Sequence, residues 1–335
     1  MGTNISKNLY KEVRTIKIMV ILTKLKNDDF RKILENYDIG NHISHKHINK
    51  ALQNTVYLVK TSTGRYILKI FEDDSTNFIK FQLGIIDFLK SKIPIQGTIK
   101  TNQHKSIFKY QIKGNKKRIV IYDYITGANP LKLTSSLIKH IAQVEGIMNK
   151  NLLGIPLNGK HIWKENYQLN PNIFEIKKVK NLNLHQEALL LSKQLKRFGL
   201  LEIRRSVTHG DFNQYNLIAK KNKIVAVIDW GDTHEDFLVQ EVSTTLADLF
   251  KIKTNKRSIK LFLKTYQKYI KLSNKEKRII YYLMKHRILG AINWHAKQLK
   301  IHKNESKRLE KDISKLIKQY NDFKNTTLED FLTLF

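Results

Sequence analysis

Residues 207–232 read VTHGDFNQYNLIAKKNKIVAVIDWGD. Two apolar runs, Leu217-Ile218-Ala219 and Ile224-Val225-Ala226-Val227-Ile228, flank the polar turn Lys220 to Lys223. Runs of this kind on either side of a short turn pair as a hairpin. Closing the hairpin brings Asn216 and Asp229 to the same end, with Asp211 on the loop just before it. Two carboxylates and a carboxamide then converge at one hairpin mouth. Phosphoryl transfer needs this set. A carboxylate, Asp211, orients an attacking hydroxyl and accepts its proton. Asn216 and Asp229 supply the hard oxygens that magnesium prefers, and the metal neutralises charge developing on the phosphates. Taken singly, these residues read as turn formers and caps. Taken together, with the apolar hairpin between them, they read as a metal–phosphate site in its expected context.

Working back toward the N-terminus, the pattern is that of a small sheet. Thr55 to Lys60 and Tyr66 to Phe71 read as strands, joined by a turn containing Gly64. Ser106 to Ile112 and Arg118 to Tyr124 read as two more, separated by Gly114-Asn115. Between the pairs lies a helix with Phe78, Phe81, Ile85, Phe88 and Leu89 on its apolar stripe, closed by Pro94. An earlier helix carries Phe30, Ile33, Leu34 and Tyr37 and stops at Gly40. After the break at Gly127 and Pro130 the chain becomes mainly helical. Leu137, Ile138, Ile141, Val144 and Met148 form one stripe, Ile259, Phe262, Leu263, Tyr266 and Ile270 another, and Leu309, Ile313, Leu316, Ile317 and Tyr320 a last one. Ser273-Asn274-Lys275-Glu276 is a capping box that opens a long helix running through Trp294. The architecture expected is α+β: a small, mostly antiparallel sheet carrying one helix, then a larger helical part.

Composition narrows the function classes. With 335 residues, 41% of them hydrophobic, the chain has material for a real core. The absence of cysteine excludes disulfides, thiolate zinc sites and thiol nucleophiles. Ile16 to Leu22 is far shorter than the ~20 residues of a membrane span, and no small-residue cleavage site follows it, so the expectation is a cytoplasmic protein without a membrane partner. Met1-Gly2-Thr3-Asn4-Ile5-Ser6 matches a myristoylation pattern short enough to arise by chance, and Met19 is an alternative start. The formal net charge of +32 suits polyanion binding. The basic residues, however, are spread along the chain, at Lys116 to Arg118, Lys177-Lys178, Lys251 to Arg257 and Lys307-Arg308. Dispersed charge reads as solvated surface, and no specific nucleic acid is expected.

His209-Gly210-Asp211 with Asn216, followed by Ile228-Asp229-Trp230, resembles the signature of the aminoglycoside phosphotransferase and choline kinase superfamily. Upstream, Tyr37-Asp38-Ile39-Gly40, Gln53-Asn54-Thr55 and Gly64 to Glu72 resemble the bacterial homoserine kinases of that superfamily, as do Trp163, Tyr266, Leu272-Ser273 and Glu276. The stretch Asp229 to Thr233 is closer to hydroxylysine kinase-like members. The resemblance implies a bilobal protein-kinase-like fold. Residues 1–40 would be an extension and helix, 41–124 a nucleotide-binding N-lobe, and 125–335 a helical C-lobe with the catalytic loop. It further implies ATP and Mg2+ as cofactors and a small-molecule hydroxyl acceptor. Lys69 is implied to contact the α- and β-phosphates. Its strand face, shared with Ile67 and Phe71, is an odd place for an ammonium that meets no anion. Asn54 falls in the nucleotide-side loop, and backbone groups of Asp123, Tyr124 and Ile125 would hold the adenine. Two departures stand out. The loop Lys50-Ala51-Leu52-Gln53 lacks the glycine that eases backbone approach to phosphate. The helix from Asn77 to Lys90 has no glutamate to pair with Lys69, leaving Gln82 as the hydrogen-bonding substitute.

Acidic residues cluster after the hairpin, at Asp232, Glu235, Asp236 and Glu241. Asp232 and Glu235 are the substrate-side candidates for meeting an acceptor ammonium. The competing reading for Glu235 and Asp236 is a cap on the helix that begins near Val239. His42, His45 and His47 have zinc-like spacing but no further ligand nearby, and read as a solvated basic loop. His209 reads as a brace for the catalytic loop. Homoserine leads as acceptor, with hydroxylysine, choline or an aminoglycoside as alternatives. A non-catalytic kinase-like protein that binds nucleic acid through its basic surface is the other class.

Overall fold

β-Branched and aromatic residues alternate through the first sheet. In the computed structural model, which describes residues 23–48, 53–155, 182–197, 203–251, 256–301 and 306–335, they form strands where the pattern predicts them. The N-terminal stretch with Met19, the Lys50-Ala51-Leu52 loop, Trp163, Lys177 and Lys178 lie outside the described residues. The chain divides into two units. One is Met1–Asp74 with Ile99–Ile121; the other is Ser75–Thr98 with Tyr122–Phe335.

The first unit holds helix α1 (Asn27–Leu34) and strands β1 (His42–His47), β2 (Thr55–Thr61), β3 (Arg65–Phe71) and β5 (Phe108–Ile112), with most of β6 (Asn115–Asp123). β1 pairs antiparallel with β2, β2 with β3, and β5 with β6. The sheet order is β1-β2-β3-β6-β4, with β4 at Thr98–Ile99. The β5–β6 turn places Lys113 and Gly114 at φ +46° and +80°, the left-handed pair that a tight hairpin turn requires. The core packs Phe30, Ile33 and Leu34 of α1 against Val59, Leu68 and Ile119 of the sheet. At its edge Glu72 is a buried carboxylate with four donors around it. Lys117 Nζ and Thr55 Oγ1 each lie 2.5 Å away, and the Thr23 N–H and hydroxyl donate at 2.9 and 3.0 Å. Burial alone would raise its pKa; the bonds from Lys117, Thr55 and Thr23 hold it below the usual value.

One expectation changes here. The histidine segment is strand β1, not a loop. His42 and His45 stack on Phe30, with ring centroids 5.2 and 3.9 Å apart. Their alternation with exposed residues is that of an edge strand, which polar composition disguised. Asn54 is engaged locally, its Oδ1 accepting from the Glu72 N–H at 3.1 Å.

In the second unit, helix α2 (Thr76–Leu89) starts on Ser75, whose hydroxyl accepts from the Phe78 N–H. Its buried face is Ile79, Gln82, Leu83, Ile85, Ile86 and Leu89, while Phe88 is exposed. Of the stripe expected from sequence, Ile85 and Leu89 are buried, Phe78 and Phe81 are half-buried, and Phe88 faces out. Helices α3 (Ser135–Leu152), α4 (Leu182–Arg197), α5 (Leu238–Lys251), α6 (Lys256–Tyr266), α7 (Asn274–Ile301), α8 (Ser306–Lys324) and α9 (Leu328–Leu332) follow. α3 packs on α6, and α7 packs on α4, α5 and α8. The capping box that opens α7 forms as expected. The Ser273 N–H donates to Glu276 Oε2 at 2.9 Å, and the Glu276 N–H donates back to Ser273 Oγ at 3.2 Å. Arg204 adds a bond to the same carboxylate at 2.8 Å. Among the described residues no helix is long and apolar enough to cross a membrane.

Candidate active site

The expected hairpin is strands β8 (Leu217–Lys220) and β9 (Lys223–Val227), with Leu217 opposite Val227. Past the last pair, the Ile228 N–H donates to the Asn216 carbonyl at 2.9 Å, which fixes Asn216 and Asp229 at one end. Other segments of the second unit hold this hairpin from both sides. Val227 exchanges main-chain bonds with Pro94 and Gln96, and Ala128 exchanges two with Ala219. At Gly127 a Cβ would press on the Ala219 carbonyl and the Ile218 side chain, so the close approach needs glycine. Gln96 also donates its side-chain amide to the Asp123 carbonyl at 2.7 Å, and the Asp123 N–H donates to Gly97 at 3.0 Å. Asp123 therefore spends its own N–H inside the fold.

Asp211 and Asn216 meet directly. Asn216 Nδ2 donates to Asp211 Oδ2 at 2.8 Å and to the Asp211 main-chain carbonyl at 2.9 Å. Both amide hydrogens are thus used on Asp211, which leaves Oδ1 as the acceptor atom the amide offers a cation. Asp229 is exposed and adopts the left-handed region at φ +59°. That conformation costs a non-glycine residue roughly 1–3 kcal/mol and clusters at functional sites. Two hard oxygens, one carboxylate and one amide, suit a divalent cation such as magnesium. Lys69 and Asn54 lie in the first unit. The Lys69 ammonium lies 5.2 Å from the Phe71 ring centroid.

The catalytic loop is braced from below. His209 is fully buried. Its Nδ1 accepts from the Asp211 N–H at 3.3 Å and its Nε2 faces the Ile228 carbonyl at 2.9 Å. These partners select the Nε2–H tautomer and give the ring a bracing role. Gly210 sits at φ +82°, and a Cβ there would run into the Asp232 carbonyl. Beneath the loop, one face of α5 presents Glu241, Thr245 and Asp248, three to four residues apart along the helix. Glu241 accepts from the His209 and Gly210 N–H groups at 2.8 and 3.1 Å. Asp248 accepts from the Gln214 N–H at 2.9 Å. Thr245 Oγ1 lies 3.1 Å from the Phe212 carbonyl and 2.8 Å from Glu145 Oε2. A hydroxyl has one proton, and the Phe212 carbonyl can only accept. The Thr245 hydroxyl is therefore shared between the Phe212 carbonyl and Glu145 Oε2, either of which can accept it. Burial, with Glu241 nearby, holds the Glu145 carboxyl well above its usual pKa. Burial also pushes Glu241 up to about 7, against the pull of its two backbone donors.

The acidic cluster is redistributed. Glu235 and Asp236 do not cap α5. They lie in strand β10 (His234–Phe237), which pairs antiparallel with β7 (Arg205–Thr208). Glu235 is ion-paired with Arg205 at 3.2 Å, and Asp236 meets His234 Nε2 at 3.3 Å. Burial lowers the His234 pKa, but its contacts with Asp236 and the Asp232 carbonyl outweigh that and raise it. Asp232 is exposed beside the loop. Glu241 is buried under the loop and so belongs to its support. Gln82, expected as a partner for Lys69, donates to the Gly231 carbonyl at 3.4 Å.

Sequence reasoning missed Arg287. It projects from α7 and forms an ion pair through Nη2 with Asp211 Oδ1. No motif marks it, since 75 residues lie between it and Asp211. The α5 face carried a fainter signal, a polar stripe at helical spacing on an otherwise apolar helix.

A family model described as "Phosphotransferase enzyme family" matches residues 45–272. A homoserine kinase of Methylobacillus flagellatus is 23% identical over 242 residues, covering 69% of this chain and 71% of that one. Among solved structures, a microcompartment-associated aminopropanol kinase superposes with a TM-score of 0.75 at 16% identity, over 92% of this chain and 100% of the other. An amicoumacin kinase in complex with AMP-PNP, Ca2+ and Ami gives 0.69 at 16% identity, over 92% and 97%. The fold is kinase-like, as the sequence resemblance implies.

Proposed function

This chain belongs to the phosphotransferase enzyme family, and from that premise we propose that it transfers the γ-phosphoryl group of ATP to the hydroxyl of a small amino-bearing molecule, homoserine first. The reading rests on one observation. The Asp211 carboxylate is tied to the Asn216 amide at the mouth of the β8–β9 hairpin, where Asp229 takes a left-handed conformation. In the reaction the acceptor oxygen bonds to the γ-phosphorus while its proton passes to Asp211. The β,γ-bridging oxygen leaves with its electron pair as ADP. Asp211 is oriented for this by Asn216 and by the α5 supports under the loop. Asn216 Oδ1 and Asp229 would hold Mg2+, which when bound neutralises charge on the phosphates. We assign nucleotide binding to residues 41–124. Lys69 would meet the α- and β-phosphates, Asn54 would lie near them, and the main chain from Asp123 to Ile125 would face the adenine. Because Asp123 has its own N–H bonded to Gly97, the donor to the base falls to Tyr124 or Ile125. Residues 125–335 carry the catalytic loop and the acceptor side, with Asp232 the acidic candidate for an ammonium. Glu235 is spent on Arg205 and is the weaker one. A cytoplasmic location, with its ATP and magnesium, accompanies this reading.

The test is ADP release by the purified protein with ATP and magnesium, across homoserine, hydroxylysine, choline and an aminoglycoside. One acceptor should stimulate release in a metal-dependent way. Asp211→Asn should lower that rate by roughly 10²–10⁴-fold, the usual contribution of a positioned base, while ATP binding persists. A flat response across the panel with no nucleotide binding would replace this reading with the non-catalytic one, which salt-sensitive nucleic-acid binding would then support.

A further inference from the structure

As the loop stands, both oxygens of Asp211 are engaged. Oδ2 accepts from Asn216 Nδ2 at 2.8 Å, and Oδ1 is ion-paired with Arg287 Nη2. An acceptor hydroxyl must hydrogen-bond one of these oxygens before its proton can move. Asn216 is tied twice, to the side chain and to the main-chain carbonyl of Asp211, and so is the harder partner to displace. Arg287 is held by one nitrogen. A guanidinium carries five N–H donors in a planar fork, and among the described residues Arg287 spends one of its two terminal nitrogens on Asp211. Its side chain is 31% exposed. Acidic groups surround it: Asp211, Asp232 and Asp248 all act on its charge. The neighbouring His286 is pushed down to about 4 by burial and adds no second positive charge. Arg287 is therefore a forked cation beside the base, with unspent donors.

We propose that Arg287 anchors a carboxylate on the acceptor. On binding, the Arg287–Asp211 pair is exchanged for an Arg287–acceptor pair, which frees Asp211 Oδ1 for the hydroxyl. This inference rests on the phosphotransferase reading above and names its substrate class: a short hydroxylated amino acid, rather than an amino alcohol or an amino sugar. The exchange replaces one carboxylate by another on the same guanidinium, in the bidentate geometry that arginine favours. An acceptor without a carboxylate either leaves Arg287 on the base or leaves a half-buried charge unpaired, and removing one partner of such a pair is costly.

The experiment compares two acceptors that differ by one group, L-homoserine and 3-amino-1-propanol, on the full chain with ATP and magnesium. The quantity read is the ratio of their kcat/KM values. Wild type should favour L-homoserine by roughly 100-fold, the scale of a charge-assisted hydrogen-bonded pair. Arg287→Gln should bring the ratio to about one, chiefly through the KM of L-homoserine. Arg287→Lys keeps the charge without the fork and should fall between them; it carries the test if the glutamine variant melts early. Equal losses on both acceptors in the variants would make Arg287 a positioning residue for Asp211 and overturn the proposal. So would a wild type that prefers 3-amino-1-propanol, although the phosphotransferase reading would survive that result. A wild type that neither binds ATP nor releases ADP with any acceptor would remove both.

Discussion

At the scale of residues, the loop is held by two buried carboxyl groups. Glu145 meets the Thr245 hydroxyl, and Glu241, poised near neutrality, accepts from the His209 and Gly210 N–H groups. The pH dependence follows from Glu241. Its pKa is about 7 in the fold against 4.5 for an unperturbed carboxyl. Between those values the folded chain keeps a proton that the unfolded chain has lost. Stability therefore falls as pH rises through that window, by roughly 3 kcal/mol at most for this group, and Glu145 acts in the same direction. Urea midpoints at pH 5 and pH 8 should differ accordingly, and Glu241→Gln should flatten the difference; equal slopes would contradict the assignment. Much of the site could be read from sequence. Asp211, Asn216 and Asp229 are joined by one local hairpin whose pairing the apolar runs dictate. Arg287 could not be read, because its partner is distant in the chain and a lone arginine in a helix carries no pattern. The role of Glu241 was half legible, since an acidic residue after the hairpin looks the same whether it faces solvent or lies beneath a loop.

At the scale of elements, local codes translated and tertiary ones did not. The Ser273–Glu276 box opens α7 as its spacing predicts, because capping is decided within four residues. The same carboxylate also takes Arg204, so the helix start is fixed to β7's approach. Ser273→Ala should cost about 1 kcal/mol of stability, the usual worth of such a cap, measured by chemical denaturation; a change below a few tenths would mean the Arg204 bond alone secures the end. Strands β7 and β10 were invisible. Each is four residues long, β10 reads His-Glu-Asp-Phe, and their partners lie far apart in sequence. The polarity of Glu235 and Asp236 suggested a cap, and the pairing of β10 with β7 overrode it. In α2 the helix was foreseen, and its buried face in part, through Ile85 and Leu89. With apolar residues nearly all round, period alone does not choose a side, and aliphatic Ile79, Leu83 and Ile86 took the interior in place of the phenylalanines.

At the scale of the whole chain, 61 basic residues face 29 acidic ones. Most of this charge lies on solvated surface, where like charges repel across a screening length of about 10 Å at 0.1 M salt. Thermal midpoints should therefore rise as neutral salt increases from about 20 to 300 mM; a flat or falling response would mean the basic groups are already neutralised by neighbours. Composition could state this excess, but not where the acidic minority gathers, which is a matter of folding. The α5 face under the loop carries one more consequence. Glu241, Thr245 and Asp248 reach three successive parts of the loop because the helix advances about 100° and 1.5 Å per residue. The side chains between them, Val242, Ser243, Thr244, Leu246 and Ala247, are buried and constrained by packing, and their number is constrained as well. A single residue inserted within that span would rotate Asp248 a quarter-turn away from Gln214 while every named group remained in the sequence. In a lineage of such chains this segment should hold its count even where conservative exchanges alter its spelling.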